Sequence, residues 1–230
     1  MIVSHKYRFI FIKTAKTAGT SIEIALSKYL GKNDVITSVS APDEMIRRQL
    51  GSPGPQNFRV PFHQHSVREL PGAIFFGRRK RFYNHMSAAE VRNLIGDHVW
   101  NSYYKFCFER NPFDRVISLY YWCHKSEPRP SLAEFLDGPE ISLLTSRGLS
   151  LYTNTTGHIV VDRVGLYESL LQDLEDIRKS IGIPEPLNLP LAKASHRTDK
   201  RPYYELIDSA CREKIEARFR SEMELFDYHF

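Results

Sequence analysis

The chain has 230 residues, 42% of them hydrophobic and 26% charged, with a formal net charge of +5. That length and mix suit one globular domain with a substantial core and exclude a disordered or fibrous chain. The small basic excess suits anionic ligands without marking a nucleic-acid binder, and no apolar run is long enough to span a membrane.

In chain order, residues 2–8 predict a first strand, and the apolar residues 9–12 a short buried one. A small-residue turn follows, Lys13-Thr14-Ala15-Lys16-Thr17-Ala18-Gly19-Thr20-Ser21, and then a helix over 22–30. Strand, turn and helix in that order build an anion cradle, because the turn amides and the positive end of the helix dipole converge on one point. Ala18 and Gly19 are expected to let a ligand approach the backbone, Lys16 to supply a point charge, and Thr20 and Ser21 to add hydroxyl donors. The turn lacks the Gly-Lys-Ser/Thr ending of a Walker loop. Lys13 is a second cation beside it, expected either to touch the same ligand or merely to end the strand.

Residues 31–67 form a polar stretch whose run Gly51-Ser52-Pro53-Gly54-Pro55 will not hold regular structure; its length suggests a substrate-side loop. Within it, His63 and His65 point to one side if extended and are candidate acceptor-site residues. A short strand is expected over 73–76, followed by the basic run Arg78-Arg79-Lys80-Arg81, to which no site role is given. Ser87-Ala88-Ala89-Glu90 has the capping-box form and predicts a helix to about Ile95, with Gly96 as its stop; His85 stands just before it.

Residues 103–108 read as a buried strand broken by Asn111-Pro112, with Asp114 as cap of a helix over 115–123. Arg110 at the strand end and Ser118 one turn into the helix can grip a phosphate from two sides. Glu109 is expected to be held ionised by Arg110 and so to be a poor base. Ser131 to Glu134 repeats the capping box, residues 159–164 suggest a strand, and 167–181 a helix ended by Gly182 and Pro184. Residues 186–202 are irregular and hold Lys193, Ser195, His196, Arg197, Lys200 and Arg201; residues 203–219 read as a final amphipathic helix. Alternating strands and helices, with no repeat and no linker, predict a single α/β domain over 1–230. Two separated cradles imply a ligand with two anionic groups.

At this point the chain resembles a known family. Lys16-Thr17-Ala18-Gly19-Thr20-Ser21 is similar to the 5′-phosphosulfate loop of sulfotransferases, and Arg110-Asn111-Pro112-Phe113-Asp114-Arg115 with Ser118 to their 3′-phosphate motif. The resemblance runs through His85-Met86-Ser87-Ala88-Ala89-Glu90 to Glu224-Leu225-Phe226-Asp227-Tyr228-His229-Phe230 and is nearest the carbohydrate (Golgi-type) and bacterial branch. It implies a P-loop-like three-layer fold with a central, mainly parallel sheet flanked by helices. The implied donor is 3′-phosphoadenosine 5′-phosphosulfate, with no metal required, and the acceptor a hydroxyl, expected on a carbohydrate. It further implies Lys16 as stabiliser of the leaving nucleotide, and the amides of 17–20 with the hydroxyls of Thr20 and Ser21 on the 5′-phosphosulfate. Arg110 and Ser118 would take the 3′-phosphate, Lys200, Arg201 and Tyr203 would lie over the nucleotide, and His85 would be the general base. Ala15 stands where relatives usually have proline, and Leu166 where many have arginine. A P-loop nucleoside or sugar kinase and a non-catalytic nucleotide- or glycan-binding module are the competing readings. With three cysteines that cannot all pair and Met1 leading into the first strand, a bacterial-type cytoplasmic protein is expected, the alternative being a trimmed Golgi-lumenal domain.

Overall fold

A computed structural model describes residues 1–61, 80–190 and 199–230. The strand expected over 73–76, His63, His65, Arg78, Arg79, Lys193, Ser195, His196 and Arg197 lie outside the described residues.

Five strands form one sheet: β1 (Ile2–Ser4), β2 (Phe9–Phe11), β3 (Val35–Ile36), β4 (Tyr104–Glu109) and β5 (Arg163–Leu166), in the order β3-β1-β2-β4-β5. The sheet is mixed rather than mainly parallel. β2 pairs with β4 and β4 with β5 in parallel, whereas β1 is antiparallel to both β2 and β3. The predicted strand over 2–8 breaks after Ser4, and the connection to β2 is too short for anything but a hairpin, since parallel neighbours need a crossover of a dozen residues or more. Asp34 holds that turn by accepting from the amides of His5 and Lys6 at 2.6 and 3.0 Å.

Side chains alternate across the sheet as the period of two demands. Ile2, Phe9, Phe11, Phe106 and Phe108 face α1 (Gly19–Ser27) and α7 (Leu170–Ser180), meeting Ile22, Leu26, Leu174 and Ile177. Val3, Ile10, Ile12 and Cys107 face the other way, against Val91 and Trp100 of α3 (Ala88–Ser102). Helices therefore cover both faces. A third apolar cluster joins α4 (Pro112–Cys123) to α5 (Leu132–Asp137), α6 (Ser142–Ser146) and α8 (Ser209–Arg218) through Phe113, Phe135, Leu144 and Ile215. No helix among the described residues is long and apolar enough to cross a membrane.

Several elements differ from expectation. The polar stretch contains β3 and a nine-residue helix, α2 (Ala41–Gln49), with Pro42 in its first turn. Gly96, at φ +80°, interrupts α3 without ending it. Asn111, not Asp114, caps α4, accepting from the Phe113 amide at 3.0 Å. The final helix starts later than expected: Tyr203–Glu205 form a 3-10 turn, Asp208 caps α8, and a further helix, α9 (Arg220–Phe226), follows.

Candidate functional site

The parallel register Ile10↔Lys105 sets the carboxyl ends of β2 and β4 side by side, so the turns that leave them meet. They are tied directly. The Thr14 hydroxyl donates to the Phe108 carbonyl, and Arg110 Nη1 donates to the Lys16 carbonyl at 3.1 Å. Between them opens a cavity of about 540 Å³ lined by residues from both turns.

The first turn is wound tightly. Lys16 (φ +64°) and Ala18 (φ +60°) both occupy the left-handed region, which non-glycine residues enter at a cost of about 1–3 kcal/mol. Ala18 is the N-cap of α1 and no side chain caps the helix, so the amides of its first turn remain available to a ligand. Ala18, Gly19, Thr20 and Ser21 all line the cavity. Thr17 does not: its hydroxyl is buried against that of Thr14, 2.8 Å away. Gly19 has ordinary backbone geometry and, besides lining the cavity, makes room for a side chain. A Cβ there would lie 2.8 Å from Lys13 Cγ.

That contact explains the two lysines. Lys13 runs beneath Gly19 and its ammonium lies 2.8 Å from Glu23 of α1, both buried. Arg47 at 3.4 Å and the Met1 amino group at 3.1 Å approach the same carboxylate. Burial alone would raise the Glu23 pKa; the cations, Lys13 foremost, bring it to about 2. Lys13 thus lines the cavity with its ammonium paired in the core, whereas the Lys16 ammonium lies 5.4 Å from the centre of the Trp122 ring in the same cavity.

The Arg110 guanidinium carbon lies over the Tyr167 ring, 3.9 Å from its centre. Three of its five N–H groups are engaged, two by Asp114 and one by the Lys16 carbonyl, which leaves two for a ligand. Ser118 lines the cavity one turn further along α4. Glu109 is not partnered by the Arg110 side chain. Strand alternation turns it inward, where Arg115 pairs with it and Tyr152 donates to it at 2.7 Å. It is fully buried and faces away from the cavity.

His85, which lines the same cavity and is itself left-handed at φ +57°, brings its Nδ1 within 2.8 Å of the Lys13 carbonyl. A carbonyl only accepts, so Nδ1 carries the proton and Nε2 keeps its lone pair. Burial first, then the Lys13 and Arg147 charges, lower the His85 pKa from 6.5 to about 3. The ring is therefore a neutral base throughout the physiological range.

Lys200 reaches the cavity, beside an apolar wall of Leu170, Leu189 and Pro190. Arg201 lies outside the lining and is paired with Asp199 at 2.7 Å, and Tyr203 stacks on Phe113 instead of entering. Sequence reasoning missed Trp122 and Arg147. Trp122 lies four residues after Ser118 and so shares its helical face, a signal that was readable. Arg147, just past the short α6, has no such signature.

The chain matches the family described as the sulfotransferase family over residues 1–229. It belongs to the sulfotransferase family. An uncharacterized protein of Archaeoglobus fulgidus is 32% identical to it over 114 residues, which make up 48% of this chain and 93% of that protein. No solved structure matches the chain significantly. Membership in this family makes the chain a transferase and sets aside the kinase reading.

Proposed function

We propose that this sulfotransferase, acting as one domain, moves a sulfuryl group from 3′-phosphoadenosine 5′-phosphosulfate to a hydroxyl of a carbohydrate. The observation that carries the reading is that the turns after β2 and β4 meet in one cavity, which His85 also lines. In this reading the amides of the α1 N-terminus and the hydroxyls of Thr20 and Ser21 hold the 5′-phosphosulfate. Lys16 stabilises charge on the bridging oxygen as its bond to sulfur breaks, and Arg110 with Ser118 takes the 3′-phosphate. The acceptor oxygen forms the new S–O bond while His85 Nε2 takes its proton, and the nucleotide departs as 3′-phosphoadenosine 5′-phosphate. The chain's own groups supply the charge stabilisation, and the proposal requires no metal. The three cysteines are unpaired, which supports a reducing compartment such as the cytoplasm.

The test is calorimetric titration of 3′-phosphoadenosine 5′-phosphate against adenosine 5′-phosphate. Contacts to a charged group are worth about 1.5–3 kcal/mol, so the 3′-phosphate should add roughly ten- to a hundredfold in affinity, and Arg110→Ala should erase most of that difference. Equal affinity of the wild type for the two nucleotides would overturn the donor assignment.

A further inference from the structure

The turn that carries Arg110 is held from behind by groups that do not line the cavity. In the parallel register Glu109 faces Leu166, which brings the residues leaving β4 and β5 side by side, Arg110 next to Tyr167 and Asn111 next to Glu168. Both pairs are in contact. The Arg110 guanidinium lies over the Tyr167 ring, and the Glu168 carboxylate accepts from the Asn111 amide at 2.7 Å. The other Glu168 oxygen accepts from the hydroxyl of the buried Tyr228 at 3.1 Å. Asn111 is buried too; its side chain caps α4 and donates to the His229 carbonyl at 3.3 Å.

A carboxylate beside a turn that is to hold an anion works against that anion by simple repulsion. Glu168 stands there nonetheless, outside the cavity lining, and no lysine or arginine among the described residues pairs with it. Both of its oxygens serve the turn and the tail behind it. A charged acceptor on a main-chain amide makes one of the stronger hydrogen bonds available to a protein. This one fixes the backbone one residue after Arg110, where the strand gives way to α4. A pivot at Asn111 would carry the Arg110 fork off both the Tyr167 ring and the Lys16 carbonyl.

We propose that Glu168 is a positioning residue for the 3′-phosphate site: braced by Tyr228, it holds the Asn111 amide and so sets the Arg110 fork for the phosphate. Glu168 touches no part of the nucleotide in this arrangement, and its influence passes through Arg110. The inference rests on the donor assignment.

The test is calorimetric titration of 3′-phosphoadenosine 5′-phosphate and of adenosine 5′-phosphate into the wild type and its variants. Glu168→Ala should weaken the 3′-phosphorylated nucleotide roughly tenfold and leave adenosine 5′-phosphate unchanged, so the ratio of the two affinities narrows. A merely structural role would weaken both nucleotides alike or neither. Glu168→Gln should keep most of the ratio, because its amide oxygen still accepts from Asn111 and its amide nitrogen can donate to the Tyr228 oxygen. Tyr228→Phe removes one hydroxyl and should shift the ratio the same way by a smaller factor; it carries the test should the alanine variant not fold. Added to Arg110→Ala, Glu168→Ala should cost no further affinity for the 3′-phosphorylated nucleotide, since the two act through one contact. A wild-type ratio in both Glu168→Ala and Tyr228→Phe, or losses that simply add to that of Arg110→Ala, would overturn the inference and leave the donor assignment standing. Equal affinity of the wild type for the two nucleotides overturns the donor assignment and this inference with it.

Discussion

At the scale of single residues, His85 combines strain with function. Its left-handed backbone aims the ring at the Lys13 carbonyl, and that hydrogen bond selects the tautomer with a basic Nε2. Alanine at φ +57° would carry its own backbone penalty, so asparagine, which tolerates this region, is the cleaner substitution. His85→Asn should lower the transfer rate by roughly 10²–10⁴, the usual worth of a general base, and leave affinity for 3′-phosphoadenosine 5′-phosphate nearly unchanged. Single-turnover kinetics alongside calorimetry separate the two effects; near-normal turnover would remove His85 from the mechanism. The same residue shapes the pH dependence of folding. Its pKa is about 3 in the folded protein against an ordinary 6.5, so between those values the unfolded chain takes up a proton that the native state refuses. Stability is therefore complete above about pH 6.5 and declines as pH falls toward 3, with about 2 kcal/mol lost by pH 5. Urea unfolding at pH 7 and pH 5 should show this decline in the wild type and a smaller one in His85→Asn.

At the scale of elements, the two strand–turn–helix units were legible because each announces itself by composition: apolar strand, small or proline-bearing turn, helix. Both capping boxes were legible too, since the reciprocal bonds of Ser87 with Glu90 and Ser131 with Glu134 are local chemistry. What escaped depends on distant partners. Asp114 looked like a cap because the helix was expected to begin at Arg115; it begins at Pro112, where Asn111 caps it, and the Asp114 carboxylate pairs with Arg110. Helix α2 hid just before a proline- and glycine-rich run, and its buried Arg47 makes sense only beside Glu23, distant in sequence. Gly19 was legible as a point of close approach, but the room it makes for a side chain was not, because nothing local shows Lys13 passing beneath it. Gly19→Ala tests that role. The added methyl must displace the Lys13 stem and with it the Glu23 pair, at about 1–3 kcal/mol of stability. A thermal melt should register the loss, and an unchanged midpoint would mean that the stem gives way freely.

At the scale of the whole molecule, the ionic cluster under the turn joins the cavity floor to the edge of the sheet. Glu23 of α1 meets Lys13 beyond β2, the amino group ahead of β1 and Arg47 of α2, while Arg47 also reaches Glu44 at 3.0 Å. Glu23→Gln would leave Lys13 buried with no other carboxylate partner among the described residues. Removing one member of a buried pair typically costs 3–5 kcal/mol, so chemical denaturation should show a loss of that order. A loss below about 1 kcal/mol would mean that the lysine escapes to solvent.

Among the described residues no aspartate or glutamate lines the cavity while several cations do, and this also governs how a ligand arrives. A cleft of one sign focuses field lines into solvent and draws in a highly charged nucleotide before any contact forms. Its capture rate should consequently fall steeply as added salt shortens the Debye length toward 3 Å at 1 M, while departure from the closed contacts changes little. Polyanions too large to enter face the same attraction at the cavity mouth, so they act as decoys whose inhibition fades with ionic strength.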